Sequence, residues 1–245
     1  MKRTHFLSLA ALTVAGLTLA TAPAQAGLNL KADNPDLYSA FHSLVNADSL
    51  RLADSEIALR QLDVGSLYFA NGVKPLELYL VDEVGQFKNT LKYSVNGGTP
   101  TTVAGAGVSF SKMEVSGTSP TIAKGAGVNL GEFDNATAFD FYLETPKGYT
   151  FSTQTGFNPD GLSHVVAYEY YDETEDQIWT ILGFEDVFGE YNPSKYADRD
   201  FNDVVIAVKG VTGFDYVPEK DVPEPTSALA LLGVASLGLA RRRQS

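Results

Sequence analysis

The sequence predicts an all-β protein, built as a single β-sandwich with a jelly-roll-like arrangement of strands. Three observations support this prediction. Apolar and polar residues alternate over short stretches, turns rich in Gly, Ser and Thr separate these stretches, and no long segment has the period of a helix. With 245 residues, 44% of them hydrophobic, the chain can bury a sizeable core.

The predicted sandwich occupies residues 67–216. Leu76, Leu78 and Leu80 alternate with Glu77, as in a half-buried strand. Further strand candidates are residues 91–95, 136–143, 165–171, 178–184 and 204–208. The third and fourth of these are separated by an acidic turn, so we expect them to form a hairpin.

Residues 27–66 form an N-terminal segment with a less distinct pattern. Leu37 and Phe41 have helical spacing, and Asn34-Pro35 is a typical helix start, which predicts a short helix packed on a sheet. Residues 50–62 are compatible with either a helix or a strand.

Charge and composition exclude several classes of function. Five of the 18 basic residues lie at the two chain ends and all 30 acidic residues lie between them, so residues 27–225 carry a formal charge of −17. Such a surface repels nucleic acid, and nucleic-acid binding is therefore not expected. The chain contains no cysteine, which excludes disulfides, thiolate metal sites and cysteine nucleophiles.

The first 26 residues have the three parts of a secretory signal. Lys2 and Arg3 are followed by an apolar run over residues 6–20, and Ala24 and Ala26 supply the small residues that signal peptidase requires. The apolar run is shorter than the roughly 20 residues that span a bilayer. We therefore expect a cleaved signal peptide over residues 1–26.

The C-terminus combines a short motif, an apolar run and a basic end. Residues 217–225 form a linker that ends in Pro223-Glu224-Pro225. The apolar residues 228–240 follow, and the chain closes with Arg241, Arg242 and Arg243 near its end. The apolar run would be only about 20 Å long as a helix, which fits a transient membrane insertion better than a stable anchor. Residues 226–245 are therefore predicted to be a sorting signal.

This segment resembles the PEP-CTERM sorting signal of Gram-negative bacteria. The resemblance implies recognition by an exosortase, cleavage near Pro-Glu-Pro, and delivery to the cell surface or the exopolysaccharide matrix.

Ten acidic residues are concentrated between residues 170 and 203. Four of them lie in the predicted hairpin turn over residues 172–176, where a solvated loop explains the like charges. A fifth, Glu190, lies apart from the turn. The remaining acids, with one asparagine, are the candidate metal ligands: Glu185, Asp186, Asp198, Asp200, Asn202 and Asp203.

Asp198, Asp200 and Asn202 occupy alternate positions, so in an extended segment they would face one way and converge on one ion. Their oxygen ligands suit Ca²⁺, which takes six to eight of them. An EF-hand is rejected because Asp203 replaces the required glycine and Lys209 the required glutamate. Turn capping without a metal and acid–base catalysis remain alternatives.

A second resemblance covers roughly residues 67–211. Gly183-Phe184-Glu185-Asp186 and Asp198-Arg199-Asp200-Phe201-Asn202-Asp203-Val204-Val205 resemble the signature of an uncharacterised bacterial surface domain, which recurs in PEP-CTERM proteins and large extracellular adhesins. The stretches around Asn158-Pro159-Asp160-Gly161 and Leu78–Glu83 with Asn89 also fit. The chain departs from the family at Glu83-Val84-Gly85-Gln86-Phe87, where Glu-Gly-Ala-Gly-Tyr is usual. The resemblance implies a β-sandwich with calcium sites and no known activity.

Two residues near this signature have open roles. His164 can act as a ligand or base, but hydrogen bonding to a neighbouring loop is the more ordinary role for such a histidine. Glu83 with Asn89 can join a metal site or close a turn.

The sequence therefore predicts an exported, non-enzymatic protein of the cell surface or exopolysaccharide matrix, stabilised by Ca²⁺ and serving adhesion or biofilm formation. Its expected partners are signal peptidase, exosortase and surface polysaccharide. A carbohydrate-binding module is the first alternative, since Tyr168, Tyr170, Tyr171 and Trp179 could stack on sugars, although aromatics at alternate strand positions are more often core residues. A hydrolase using Glu185 and Asp200 is the second alternative.

Overall fold

The computed structural model describes residues 27–45, 62–70, 75–85, 87–105, 107–111, 113, 122–192 and 197–213. Within these residues the elements follow in this order: β1 (Leu28–Asn29), α1 (Leu30–Asp33), α2 (Pro35–Leu44), β2 (Leu67–Phe69), β3 (Pro75–Glu83), β4 (Thr90–Val95), β5 (Thr101–Thr102), β6 (Ala104–Gly105), β7 (Val108–Ser109), β8 (Ala126–Glu132), β9 (Ala138–Glu144), β10 (Thr150–Ser152), β11 (Val165–Asp172), β12 (Gln177–Phe184), β13 (Val204–Lys209) and β14 (Val211–Gly213). Short 3-10 turns lie at Val64–Ser66 and Thr155–Phe157.

The strands form two antiparallel six-stranded sheets packed as a sandwich. Sheet 1 has the order β1-β8-β3-β13-β12-β11. Sheet 2 has the order β14-β2-β9-β4-β5, with β10 beside β9, and β6 and β7 form a small ribbon. Strands that are neighbours along the chain, such as β2 and β3 or β13 and β14, often lie in different sheets. The predicted β-sandwich is confirmed, and so is the predicted hairpin, formed by β11 and β12.

The main core lies between the two sheets. Phe139, Phe141 and Leu143 of β9 face Leu78 and Leu80 of β3 across it, and all five are almost completely buried. Both strands show the two-residue alternation that the sequence displays. This alternation therefore fixes which face of each sheet points inward.

A second core lies on the outer face of sheet 1, under α2. Asn34 caps this helix by accepting a hydrogen bond from the backbone N–H of Leu37, and Pro35 begins it. The fully buried Phe41 packs against Trp179, with ring centroids 5.0 Å apart. Burial of one such side chain contributes about 1.5–3 kcal/mol. The predicted short helix on a sheet is confirmed.

The predicted terminal signals lie outside the described residues. This applies to the signal peptidase positions Ala24 and Ala26, and to the sorting residues Pro223, Glu224, Pro225, Arg241, Arg242 and Arg243. Most of the ambiguous segment over residues 50–62 lies outside them as well. In the part of the chain that the structure describes, no helix reaches the length and apolarity needed to cross a membrane.

Candidate metal centre

Strand pairing brings four chain segments to one end of sheet 1. Phe184 at the end of β12 pairs with Val204 at the start of β13 and with Val165 at the start of β11. Val204 in turn pairs with Glu83 at the end of β3. The segments that follow β3 and β12, and those that precede β11 and β13, therefore meet there. All six candidate ligands lie in two of these segments.

Three of the candidate ligands converge on one point. One carboxylate oxygen from each of Glu185, Asp198 and Asp200 lies within 4.8 Å of the other two. Oxygens on opposite sides of a Ca²⁺ ion are about 5 Å apart, given ligand distances of about 2.3–2.6 Å. We call these three residues the Glu185 cluster. Its spacing is compatible with a shared divalent cation.

Glu185 is the most deeply buried member of the cluster. Its side chain has no measurable exposure, and within the described residues neither carboxylate oxygen has a hydrogen-bond partner. A buried carboxylate without partners is costly unless it is neutralised or bound to a cation. Glu185 is therefore the residue whose environment most clearly calls for a ligand.

The electrostatics of the cluster follow from this burial. Burial is the main cause that raises the pKa of Glu185 to about 9, and the negative charges of Asp198, Asp200 and Asp186 add to it. Arg199 acts in the opposite direction. Without a cation, Glu185 is therefore protonated at neutral pH.

The loop that contains Asp198 and Asp200 is not extended. The expectation that these residues converge because they alternate along an extended segment is therefore wrong. Arg199 and Phe201 adopt left-handed backbone conformations, with φ of 55° and 61°. Asp200 Oδ1 accepts a hydrogen bond from the backbone N–H of Asn202 (3.2 Å), which tightens the turn. Asp198 and Asp200 converge because the backbone turns between them, and strand periodicity does not apply.

The loop is held in place by two further contacts. The Arg199 side chain donates a hydrogen bond to the carbonyl oxygen of Ser163 (3.0 Å). The carbonyl oxygen of Phe201 lies against Gly183, where a Cβ atom would stand only 2.3 Å from it. Gly183 in β12 thus permits a close approach that another residue would block.

Asp186 and Asp203 lie outside the Glu185 cluster and contact each other. The backbone N–H of Asp186 donates to Asp203 Oδ2 (2.8 Å), and Asn89 Nδ2 donates to Asp186 Oδ2 (2.7 Å). Burial is the first cause that raises the pKa of Asp186 to about 6, and burial with the charges of Asp186 and Glu185 raises the pKa of Asp203. Asn202 is buried, and its backbone N–H donates to Asp200 Oδ1.

His164 links the cluster to the Asn158-Pro159-Asp160-Gly161 loop. Its Nδ1 lies 2.9 Å from the carbonyl oxygen of Glu185, and its Nε2 lies 2.9 Å from Asp160 Oδ2. The imidazole stacks on Phe151 at 3.7 Å between ring centroids. Burial lowers the pKa of His164, and its two hydrogen bonds oppose this effect. Both nitrogens are engaged, so the hydrogen-bonding role is confirmed.

Asp160 holds its own turn and also contacts a distant segment. Its Oδ1 accepts from the backbone N–H of Leu162 (3.1 Å), as a turn residue does. Its Oδ2 also accepts from the backbone N–H of Gly189 (2.9 Å), and so ties the segment after Glu185 to this loop. No local pattern signals this contact, because Gly189 is far along the chain.

The remaining acids of the predicted hairpin turn lie apart from the centre. Glu173, Glu175 and Asp176 are exposed in the turn between β11 and β12, and Lys209 pairs with Glu175 (2.7 Å). This turn is at the opposite end of β12 from Glu185. The described residues also line a cavity of about 180 Å³ next to Glu175 and Lys209, away from the buried acids.

Of the four aromatic residues of β11 and β12 that could stack on sugars, three lie in the second core, whereas Tyr171 is 40% exposed. Trp179 is buried, and Phe41 of α2 packs against it and against Tyr170. Tyr168 is also partly buried in this second core. Helix α2 therefore covers the face that carries Tyr170 and Trp179, and these two rings are not free to stack on a carbohydrate.

Comparisons with known proteins identify two regions of the chain. Residues 126–211 match the family model described as Domain of unknown function (DUF4114), which spans β8 to the start of β14 and includes all six candidate ligands. Residues 221–244 match the PEP-CTERM protein-sorting motif. No significant match was found among curated proteins or solved structures.

The sorting motif carries a functional implication of its own. It implies processing by an exosortase and export to the surface of a Gram-negative bacterium. The domain match carries no activity with it. The chain thus contains a DUF4114 domain, of unknown function, followed by a C-terminal PEP-CTERM sorting motif.

Proposed function

We propose that this protein is a Ca²⁺-stabilised module of the cell surface or exopolysaccharide matrix, with a role in adhesion or biofilm formation. The proposal rests on the environment of Glu185. Its carboxylate is fully buried, has no hydrogen-bond partner in the described residues, and lies in a group with Asp198 and Asp200. The sorting motif supports the location. The protein acts by contact and catalyses no reaction.

The chemistry of the cluster favours Ca²⁺ over other metals. All three side chains offer hard oxygen ligands, whereas zinc sites generally use histidine or cysteine. The nearby His164 has both ring nitrogens engaged, and the chain contains no cysteine. The ligands come from an irregular loop, and Ca²⁺ tolerates irregular geometry better than Mg²⁺ does.

Calcium would join two segments that meet at this end of sheet 1. Glu185 follows β12, and Asp198 and Asp200 precede β13. An ion between them would fix the loops at this end of the sandwich and remove the repulsion between their carboxylates. A rigid, exposed end is the property that a surface-contact protein needs.

The proposal is tested by measuring the Tm of the protein at increasing Ca²⁺ concentration. The protein is purified from cells that express the full chain. A ligand that binds only the folded state adds about 2.7 kcal/mol of stability at 100 times its Kd, which is roughly 5–10 °C in Tm for a chain of this size. Glu185→Gln should reduce the rise by the contribution of the ion bound at the Glu185 cluster. It should still fold, because glutamine mimics the protonated Glu185 of the calcium-free protein.

The matched control is Glu173→Gln, which removes an exposed acid from the β11–β12 turn and should keep the full response. An equal rise in Tm for wild type and Glu185→Gln would contradict the proposed ligands. No rise at millimolar Ca²⁺ would contradict calcium binding altogether.

A carbohydrate-binding module is the second candidate, and exposed loop aromatics favour it. Phe188 and Tyr191 follow Glu185 in the chain and are 44% and 42% exposed, and Phe188 stacks on Tyr149. These rings lie outside the aromatic face that α2 covers. Polysaccharide binding that disappears when Ca²⁺ is removed would favour this candidate over a purely structural role.

A further inference from the structure

Asn89, Asp186 and Asp203 form a second polar group beside the Glu185 cluster. Asn89 comes from the segment between β3 and β4, Asp186 follows β12, and Asp203 precedes β13. The group is joined by the two short hydrogen bonds that Asp186 makes, to Asp203 Oδ2 and from Asn89 Nδ2. Three separate segments thus deliver oxygen-bearing side chains to one place.

Two of these side chains have an unsatisfied oxygen. Asn89 is 1% exposed and Asp186 is 2% exposed, yet within the described residues Asn89 Oδ1 and Asp186 Oδ1 have no hydrogen-bond donor. Buried polar atoms are nearly always paired, and each exception costs about 1–3 kcal/mol. An amide oxygen and a carboxylate oxygen left unpaired together indicate a missing positive partner.

The backbone of Gly85 packs closely against the two carboxylates. A Cβ atom on Gly85 would stand 2.8 Å from Asp186 Oδ2 and 3.0 Å from Asp203 Oδ1. The backbone N–H groups of Val84 and Gly85 lie near the carbonyl oxygen of Asp203, at 3.3 and 3.2 Å. A side chain at position 85 would collide with the two carboxylates, so glycine is what lets the β3–β4 connection approach them this closely.

A proton shared by Asp186 and Asp203 explains only part of this arrangement. It would relieve the repulsion between the two carboxylates. It would leave Asn89 Oδ1 unpaired, because the Asn89 amide already donates to Asp186 and a proton between two carboxylates cannot reach its oxygen. The positive charge of Lys147 acts against the rise in the pKa of Asp186, but Lys147 is exposed and its ammonium group lies over the Phe87 ring. A cation bound between Asn89, Asp186 and Asp203 would be a partner for oxygen atoms of all three side chains.

We propose that Asn89, Asp186 and Asp203 form a second cation subsite, so that this end of the sandwich binds a pair of Ca²⁺ ions. The choice of Ca²⁺ rests on the proposed function, whereas the subsite rests on its own residues. Glu185 and Asp186 are consecutive, so the two ions would share one stretch of backbone. Asn89 lies outside the matched DUF4114 region, which makes the second subsite a joint product of that region and the β3–β4 connection.

The number of Ca²⁺ ions bound per chain tests this inference, measured by native mass spectrometry and equilibrium dialysis on protein from cells expressing the full chain. Wild type should bind two ions. Asp203→Asn keeps an acceptor for the Asp186 N–H but removes a charge, and Asn89→Leu removes the amide oxygen at similar volume. Each should bind one ion, with affinity for the second reduced at least about tenfold.

Glu185→Gln is the reciprocal variant and should lose the other ion, while Glu173→Gln should keep both. Wild type that binds one ion, lost in Glu185→Gln and retained in Asp203→Asn, would overturn the second subsite and leave the proposed function standing. One ion that is retained in Glu185→Gln but lost in Asp203→Asn and Asn89→Leu would support the subsite and overturn the Glu185 cluster. A wild-type protein that binds no ion would overturn the Glu185 cluster and the second subsite. Two bound ions in each of Asp203→Asn and Asn89→Leu would overturn the assignment of these residues.

Discussion

Glu185 is the residue on which the chemistry of this protein depends most. It follows a buried strand, faces two aspartates and has no hydrogen-bond partner among the described residues. In the calcium-free protein it is held neutral by burial. Binding a divalent cation would require it to lose that proton, so protons and Ca²⁺ should compete at this position.

We predict that the calcium-free protein becomes less stable as pH rises from 7 to 9. The pKa of Glu185 is about 9 when folded and lies near 4.5 when unfolded, so the folded state holds a proton that the unfolded state lacks. The resulting stabilisation is complete below pH 4.5 and is lost as pH rises through 9, at a slope of at most about 1.4 kcal/mol per pH unit. Thermal unfolding in a chelator measures it.

Saturating Ca²⁺ should flatten this slope because the ion replaces the proton. Glu185→Gln in chelator provides the control, since it has no proton to lose and should show a smaller dependence on pH. Equal slopes for wild type and Glu185→Gln would contradict the role given to Glu185. The window above pH 7 avoids the titration of His164, whose pKa is lowered from its usual value.

For individual residues, the sequence predicts the chemical kind of the site better than it predicts the geometry of the site. Carboxylates concentrated between residues 170 and 203 predict a cation, and three of the six candidates do converge. The division into two groups was not predictable, because it depends on left-handed conformations at Arg199 and Phe201. Neither residue type signals such a conformation, which is imposed by packing of the loop on Gly183.

At the scale of elements, the contact between β12 and the loop before β13 positions the cluster. Gly183 in the middle of this contact lies under the Phe201 carbonyl oxygen. The backbone of the loop can therefore reach the sheet closely enough to bring Asp198 and Asp200 beside Glu185. The close approach that Gly183 permits therefore determines the geometry of the candidate site.

We predict that Gly183→Ala destabilises the protein by roughly 1–3 kcal/mol, because its Cβ would overlap with the Phe201 carbonyl oxygen and shift the loop. It should also reduce the Tm gain produced by Ca²⁺. Chemical denaturation with and without Ca²⁺ measures both effects. Gly156→Ala is the matched control, since a Cβ there meets nothing within 4 Å, and it should change stability by less than about 1 kcal/mol.

The elements themselves were largely predictable. The period-two alternation in β3 and β9 and the Asn34-Pro35 start of α2 are local signals that the structure retains. The pairing of β13 with β3 was not, because it joins segments more than 100 residues apart. That pairing brings Asn89 beside Asp186, so the second subsite could not be derived from sequence spacing alone.

At the scale of the whole molecule, two kinds of information are combined in one chain. The sorting motif is read in linear order and is therefore recognisable without a structure. The acidic end of the sandwich arises only when strands from distant parts of the chain pair. An exported domain without cysteines must be stabilised by other means than disulfides, and bound Ca²⁺ would supply that stability outside the cytoplasm.

We propose that the carboxylates of Glu185, Asp198 and Asp200 together hold a calcium ion. A crystal structure of the protein grown with millimolar Ca²⁺ tests it most directly. We expect an ion about 2.3–2.6 Å from a carboxylate oxygen of each of the three residues. A well-ordered cluster without an ion, in which Glu185 is hydrogen-bonded as a neutral acid, would contradict it.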